Sequence, residues 1–101
     1  MRGAFVYIMS NKSHTLYVGA TTELQQRVLQ HKNGNAPGSF TRRYRFTRLV
    51  WYEVAFNRPA AMKRERQIKA WSRRKKVALI QSMNPNWDDL SRKFVGLLEV
   101  T

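Results

Sequence analysis

The chain has no cysteine. This excludes disulfides and thiolate chemistry, and with only two histidines it also excludes a Cys/His zinc site. Acids are scarce: six Asp and Glu stand against 19 Lys and Arg, a formal net charge of +13. No apolar run approaches the roughly 18 residues of a membrane span. The stretch Ala4 to Met9 is too short for a secretory h-region and leads into a polar turn. The expected compartment is therefore the cytoplasm, with no membrane partner. There is no internal repeat and no low-complexity segment.

What remains is a chain of 101 residues, 43% hydrophobic, enough for one small folded domain. Its positive excess implies a polyanionic partner, and nucleic acid fits best. An anionic membrane surface fits less well, because no basic helix shows a continuous apolar face.

Phe5–Met9 and Thr15–Gly19 are rich in β-branched and aromatic residues and flank the polar cluster Ser10–His14. They read as a hairpin. A turn centred on Lys12 sets Tyr7 opposite Tyr17, on one face by the period-two rule. Val6, Ile8, Leu16 and Val18 then form the buried aliphatic face. The tyrosines are either an ordinary cross-strand pair or part of a site. Gly19 is read as the strand end, at a point of close approach. Thr22 and Gln25 form a candidate capping box for a helix. Along it Leu24, Arg27, Val28 and His31 follow core spacing. An arginine at such a position needs a partner unless it snorkels to solvent.

A loop covers Lys32–Ser39. Phe40–Arg48 then interleaves four arginines with three aromatics. That mixture suits phosphate contact plus stacking, or equally a short helix with its aromatics turned inward. Leu49–Phe56 is a third strand, apolar on both faces and so covered on both. Pro59 starts a helix to about Trp71. The basic run Arg73–Lys76 is placed at a junction, Lys75–Met83 is a further helix, and Asn86 is a candidate cap for a last short one. The expected division is a domain over 1–90 and a tail over 91–101.

Each of the six acids has a reading. Glu23, Asp88 and Asp89 suit helix first turns. Glu99 lies in the tail, and Glu53 sits on a strand within reach of many arginines. Glu65 falls between Met62 and Ile68 on the inward stripe of its helix, while Lys63, Arg64 and Arg66 face out. An inward carboxylate needs either a buried ion pair with Arg27 or a bound cation.

Taken together, Phe5-Val6-Tyr7, Tyr17-Val18-Gly19, Arg27 with His31, Tyr52, Glu65 and the segment Asn84–Leu90 resemble the GIY-YIG nuclease family, small stand-alone members in particular. The likeness runs from about Phe5 to Leu90. The first glycine of the family name is Phe5 here and both isoleucines are valines, at positions read as structural. The resemblance implies an α+β fold, a small three-stranded antiparallel sheet flanked by helices. It implies a metal-dependent endonuclease that hydrolyses nucleic-acid phosphodiesters, with DNA favoured over RNA and a role in repair or recombination. Glu65 would hold one Mg²⁺ or Mn²⁺ and Tyr17 would be the general base. Tyr7 would position water or phosphate, Arg27 would neutralise phosphoryl charge, and His31 would bond Tyr17 or assist proton transfer. Arg42, Arg43, Arg45, Lys63, Lys69, Arg73, Arg74 and Lys75 would carry the strand. The other classes left open are a non-catalytic nucleic-acid-binding module and an accessory subunit that docks a protein partner.

Overall fold

The computed structural model describes residues 3–34 and 43–93. Three strands form one antiparallel sheet in the order β2-β1-β3: β1 (Ala4–Ser10), β2 (Leu16–Thr21) and β3 (Arg48–Ala55). Among the described residues, three full helices flank it: α1 (Leu24–Lys32), α2 (Arg58–Lys69) and α3 (Arg73–Met83). This is the expected α+β arrangement. Of the expected tail, Phe94–Thr101 lies outside the described residues, as do Asn35–Ser39 of the expected loop.

Period-two alternation gives the sheet two apolar faces, and both are buried. On the first, Val6, Ile8, Val18 and Trp51 pack against Ala61 and Ile68 of α2 and Ile80 of α3. On the second, Tyr7, Met9 and Leu49 pack against Leu24 and Val28 of α1 and against Phe46. The tyrosine face is therefore a second core, not an open surface. Each fully buried aliphatic side chain contributes roughly 1.5–3 kcal/mol.

The hairpin register is shifted by two residues from the one centred on Lys12. Tyr7 pairs with Gly19, and Met9 with Tyr17. The cause is the turn. Asn11 Oδ1 accepts hydrogen bonds from the backbone N–H of Ser13 and of Thr15, while His14 adopts φ 60° and donates its N–H to the Asn11 carbonyl. A two-residue shift preserves the face of every side chain, so Tyr7 and Tyr17 stay together. Gly19 does not end the strand, which continues to Thr21.

On the other side of β1 the register jumps between Ile8, opposite Trp51, and Met9, opposite Leu49. The extra residue, Val50, joins Trp51 on the first core. β3 is covered on both faces only in its first half, since Val54 is 66% exposed.

The helix starts depart from expectation in two places. The Thr22–Gln25 capping box does not form: Glu23 occupies the cap position without a side-chain capping hydrogen bond, and Thr21 Oγ1 accepts the Glu23 N–H. Ser72 caps α3 by accepting the Lys75 N–H, so Arg73–Lys76 form the first turn of α3 and not a junction. Asn57 caps α2, with Pro59 in its first turn as expected.

The segment after α3 is organised by Asn84, not Asn86. Buried Asn84 donates to the carbonyls of Val50 and Asp88 and accepts the Asp88 N–H. Asp89 stands just before a helical turn that begins at Arg92, and its role goes beyond the dipole. It binds Lys32 Nζ at 2.6 Å and accepts the Leu49 N–H and the Ser91 N–H and hydroxyl. Burial alone would raise the Asp89 carboxyl, but these hydrogen bonds outweigh it and hold the group below the usual carboxylate value.

Candidate active site

The site begins with a missing side chain. A Cβ on Gly19 would lie 2.5 Å from the Tyr7 hydroxyl. Without one, the Tyr7 ring passes over β2 and carries its hydroxyl toward α1. There it shares a 3.1 Å hydrogen bond with His31 Nε2. Tyr7 is wholly buried. Tyr17 packs beside both, with ring centroids 6.2 Å from Tyr7 and 4.9 Å from His31. Phe46 closes the cluster, 5.7 Å from Tyr17 and 6.4 Å from His31.

The charged groups converge on the same hydroxyl. Burial raises the Tyr7 phenol well above its ordinary value, and the neighbouring Tyr17 adds to the rise. Arg27 acts the other way, by its charge and by a hydrogen bond to the phenol, and Glu65 adds a smaller upward push. Tyr7 is thus a neutral hydroxyl near pH 7. His31 is 2% exposed. Burial first, and Arg27 second, lower its imidazole to about 4, so the ring is neutral near pH 7. Its Nδ1 is buried with no hydrogen-bond partner, an exception among buried polar groups that calls for an explanation.

Arg27 sits on the half-buried flank of α1, facing a cleft of about 370 Å³ between α1 and α2. Glu65 lines the same cleft, with Arg58, Gln26, Gln30 and Thr21 around it. On α2 the inward stripe is Ala61, Glu65 and Ile68, while Met62 is 44% exposed and not core as the spacing had implied. Glu65 Oε2 takes Lys69 Nζ as its ion-pair partner at 3.0 Å, not Arg27. Glu53 binds Arg64 at 3.0 Å, the ordinary reading of that acid.

The structure therefore gathers Tyr7, Tyr17 and His31 in one cluster and joins them through Arg27 to the cleft that holds Glu65. Tyr17 itself is not on the cleft wall, and His31 bonds Tyr7 where Tyr17 was the expected partner. Sequence reading passed over Arg58. It lies seven residues before Glu65, hence on the same helical face, which was a usable signal. Phe46 follows the inward-turned reading of its segment, being wholly buried.

No group of three or more His, Cys, Asp or Glu among the described residues is placed to hold a metal. The cleft offers one half-buried carboxylate, Glu65. That suits Mg²⁺, which keeps several waters and binds through one or two carboxylates plus substrate phosphate.

Of the expected strand-binding residues, Arg42 lies outside the described residues. Arg43 and Arg45 are exposed on either side of Tyr44, and the Arg43 guanidinium lies 5.6 Å from the Tyr44 ring. Lys63, Arg73, Arg74 and Lys75 are exposed on α2 and α3. Trp71 is flanked by Arg64 at 5.3 Å and Lys75 at 4.4 Å. Lys69 is the one candidate drawn into the site, by its pair with Glu65.

The chain is similar to known proteins. The family profile described as GIY-YIG catalytic domain matches residues 3–78. A UPF0213 protein of Staphylococcus saprophyticus is 36% identical over 76 residues, covering 75% of this chain and 92% of that one. One of Natronomonas pharaonis is 40% identical over 76 residues, covering 75% and 88%. The solution NMR structure of a UPF0213 protein from Bacillus halodurans superposes with a TM-score of 0.55 at 29% identity, covering 89% of this chain and 95% of that chain.

Proposed function

Since the chain belongs to the GIY-YIG family, whose catalytic domain is a nuclease-type domain, and stands there with the UPF0213 proteins, we infer that it is a divalent-metal-dependent endonuclease that hydrolyses phosphodiester bonds, with branched or otherwise structured DNA as substrate in repair or recombination. The observation that carries this reading is the Tyr7 hydroxyl. Three charged or titratable neighbours (Tyr17, Arg27, Glu65) act on it, and His31 bonds it. A scaffold without chemistry has no need of that convergence beside an open cleft.

The assignments follow the chemistry of each group. Glu65 would hold the divalent ion in place of its ion pair with Lys69. When bound, the ion supplies charge stabilisation at the phosphate and the leaving oxygen. Arg27 and Arg58 orient the phosphate, and Arg27 offers a planar set of donors to its developing charge. Tyr17, packed against Tyr7 and His31, is the base assigned to the proton of the attacking water. Tyr7 stays protonated and orients water or phosphate through its hydroxyl. His31 holds Tyr7 in place. Its bare Nδ1 leaves capacity to relay a proton once a substrate or water reaches it.

The test is a panel of labelled linear and branched DNA and RNA substrates incubated with Mg²⁺, with Mn²⁺ and with EDTA. Metal-dependent cleavage of at least one branched DNA is expected. Tight binding with no cleavage under any condition would leave a nucleic-acid-binding module on the same fold.

A further inference from the structure

Next to the cleft, we propose a second site: a hollow that receives one unpaired nucleobase of the bound strand. The idea rests on the nucleic-acid reading above and says where a base goes. The hollow is a shallow depression, open to solvent, of about 320 Å³, lined by Phe5, Thr22, Glu23, Leu24, Gln25 and Tyr52. That volume is at the small end of ligand sites. Phe5 and Tyr52 come from neighbouring strands on the second sheet face, in diagonal register, since Phe5 pairs with Val54 and Tyr7 with Tyr52. Both are half-buried, packed at one side onto the second core. Val54 beside them is 66% exposed, so this corner of the sheet lies beyond the cover of α1.

The lining selects the occupant. Among the described residues neither Lys nor Arg lines the hollow, and its walls are apolar and aromatic at Phe5, Leu24 and Tyr52. Aromatic faces stack bases of any kind, and the Gln25 amide suits a base edge. The adjoining cleft differs, because Arg27 and Arg58 line it together with Glu23 and Glu65. The two hollows share Thr22 and Glu23. A phosphate gripped on one side and the base of the adjoining nucleotide on the other fit this division. A base stacked and paired inside a duplex cannot enter, so the strand here is single, flapped or has a nucleotide turned out.

The experiment measures metal-free binding by fluorescence anisotropy, using the full chain, a labelled single strand and a blunt duplex. Tyr52→Leu removes the ring and keeps apolar bulk, while Tyr52→Phe keeps the ring. Tyr52→Leu is expected to weaken single-strand binding roughly tenfold, Tyr52→Phe to bind as wild type, and duplex binding to be equal in all three. An arm independent of any folding defect compares wild type on a strand with bases and on an abasic strand of equal length and charge; the first should bind more tightly. Equal binding in that arm overturns the proposal. So does a Tyr52→Leu variant that binds single strand normally, or that loses single strand and duplex alike. Cleavage is not read in this experiment, so the nuclease reading and the base site can fail separately.

Discussion

Gly19 and Tyr7 act as a pair. The Tyr7 ring is wholly buried, so it has nowhere to retreat if a methyl group appears 2.5 Å from its hydroxyl. Gly19→Ala should cost roughly 1–3 kcal/mol, the usual range for overpacking, read as a lower urea midpoint, and should break the Tyr7–His31 bond. His31 gives a pH signature. Its folded pKa of about 4 lies below the ordinary 6.5, so between those values the unfolded chain binds a proton that the folded chain does not. Stability should therefore fall as pH drops from about 6.5 toward about 4. In His31→Phe that part of the slope should vanish, as urea unfolding at pH 7 and at pH 4.5 will show. Much of this cluster was legible in sequence. Period two puts Tyr7 and Tyr17 on one face, and the four-residue step puts Arg27 and His31 on another. The Tyr7–His31 bond was not legible, because it depends on how far a ring reaches across Gly19.

Asp89 and Asn84 tie the elements together. Asp89 joins the end of α1 to the start of β3 through Lys32 and the Leu49 N–H. Asn84 fastens the chain after α3 to Val50 at the bulge of β3. Asp89→Ala leaves a backbone N–H and an ammonium without their acceptor, and should cost roughly 1–3 kcal/mol. Thermal melts should show Asn84→Ala similarly affected, with no direct loss of the cleft groups. These links explain why the end of the chain was misread from sequence. Asp89 does stand before a helical turn at Arg92, but Lys32 and the Leu49 N–H also claim it, and spacing along the chain does not show such distant partners. The hairpin was misregistered for a related reason, since the side chain of Asn11 sets the loop length and composition only marks a turn. Strands and helices themselves were legible because their apolar periods are long. Where an exposed edge breaks the period, as at Val54, the reading of β3 overshot.

The molecule as a whole is a cation, with +13 formal charge at pH 7. Binding to duplex DNA should weaken linearly in log salt, each phosphate contact adding about 0.9 to the slope. Replacing Arg73, Arg74 and Lys75 together with alanine should flatten that slope by up to about 3 while leaving folding intact, because all three are exposed. Among the described residues no helix is long and apolar enough to cross a membrane. The proposed function assigns cutting to the few groups around the Tyr7 hydroxyl, and one comparison tests them most directly. Wild type, Glu65→Ala and Arg27→Ala are assayed side by side for Mg²⁺-dependent cleavage and for metal-free binding of the same DNA. Wild type should cut, and each variant should lose at least about 10²-fold in rate while its binding stays close to wild type. A Glu65→Ala variant that cuts as fast as wild type would contradict the account.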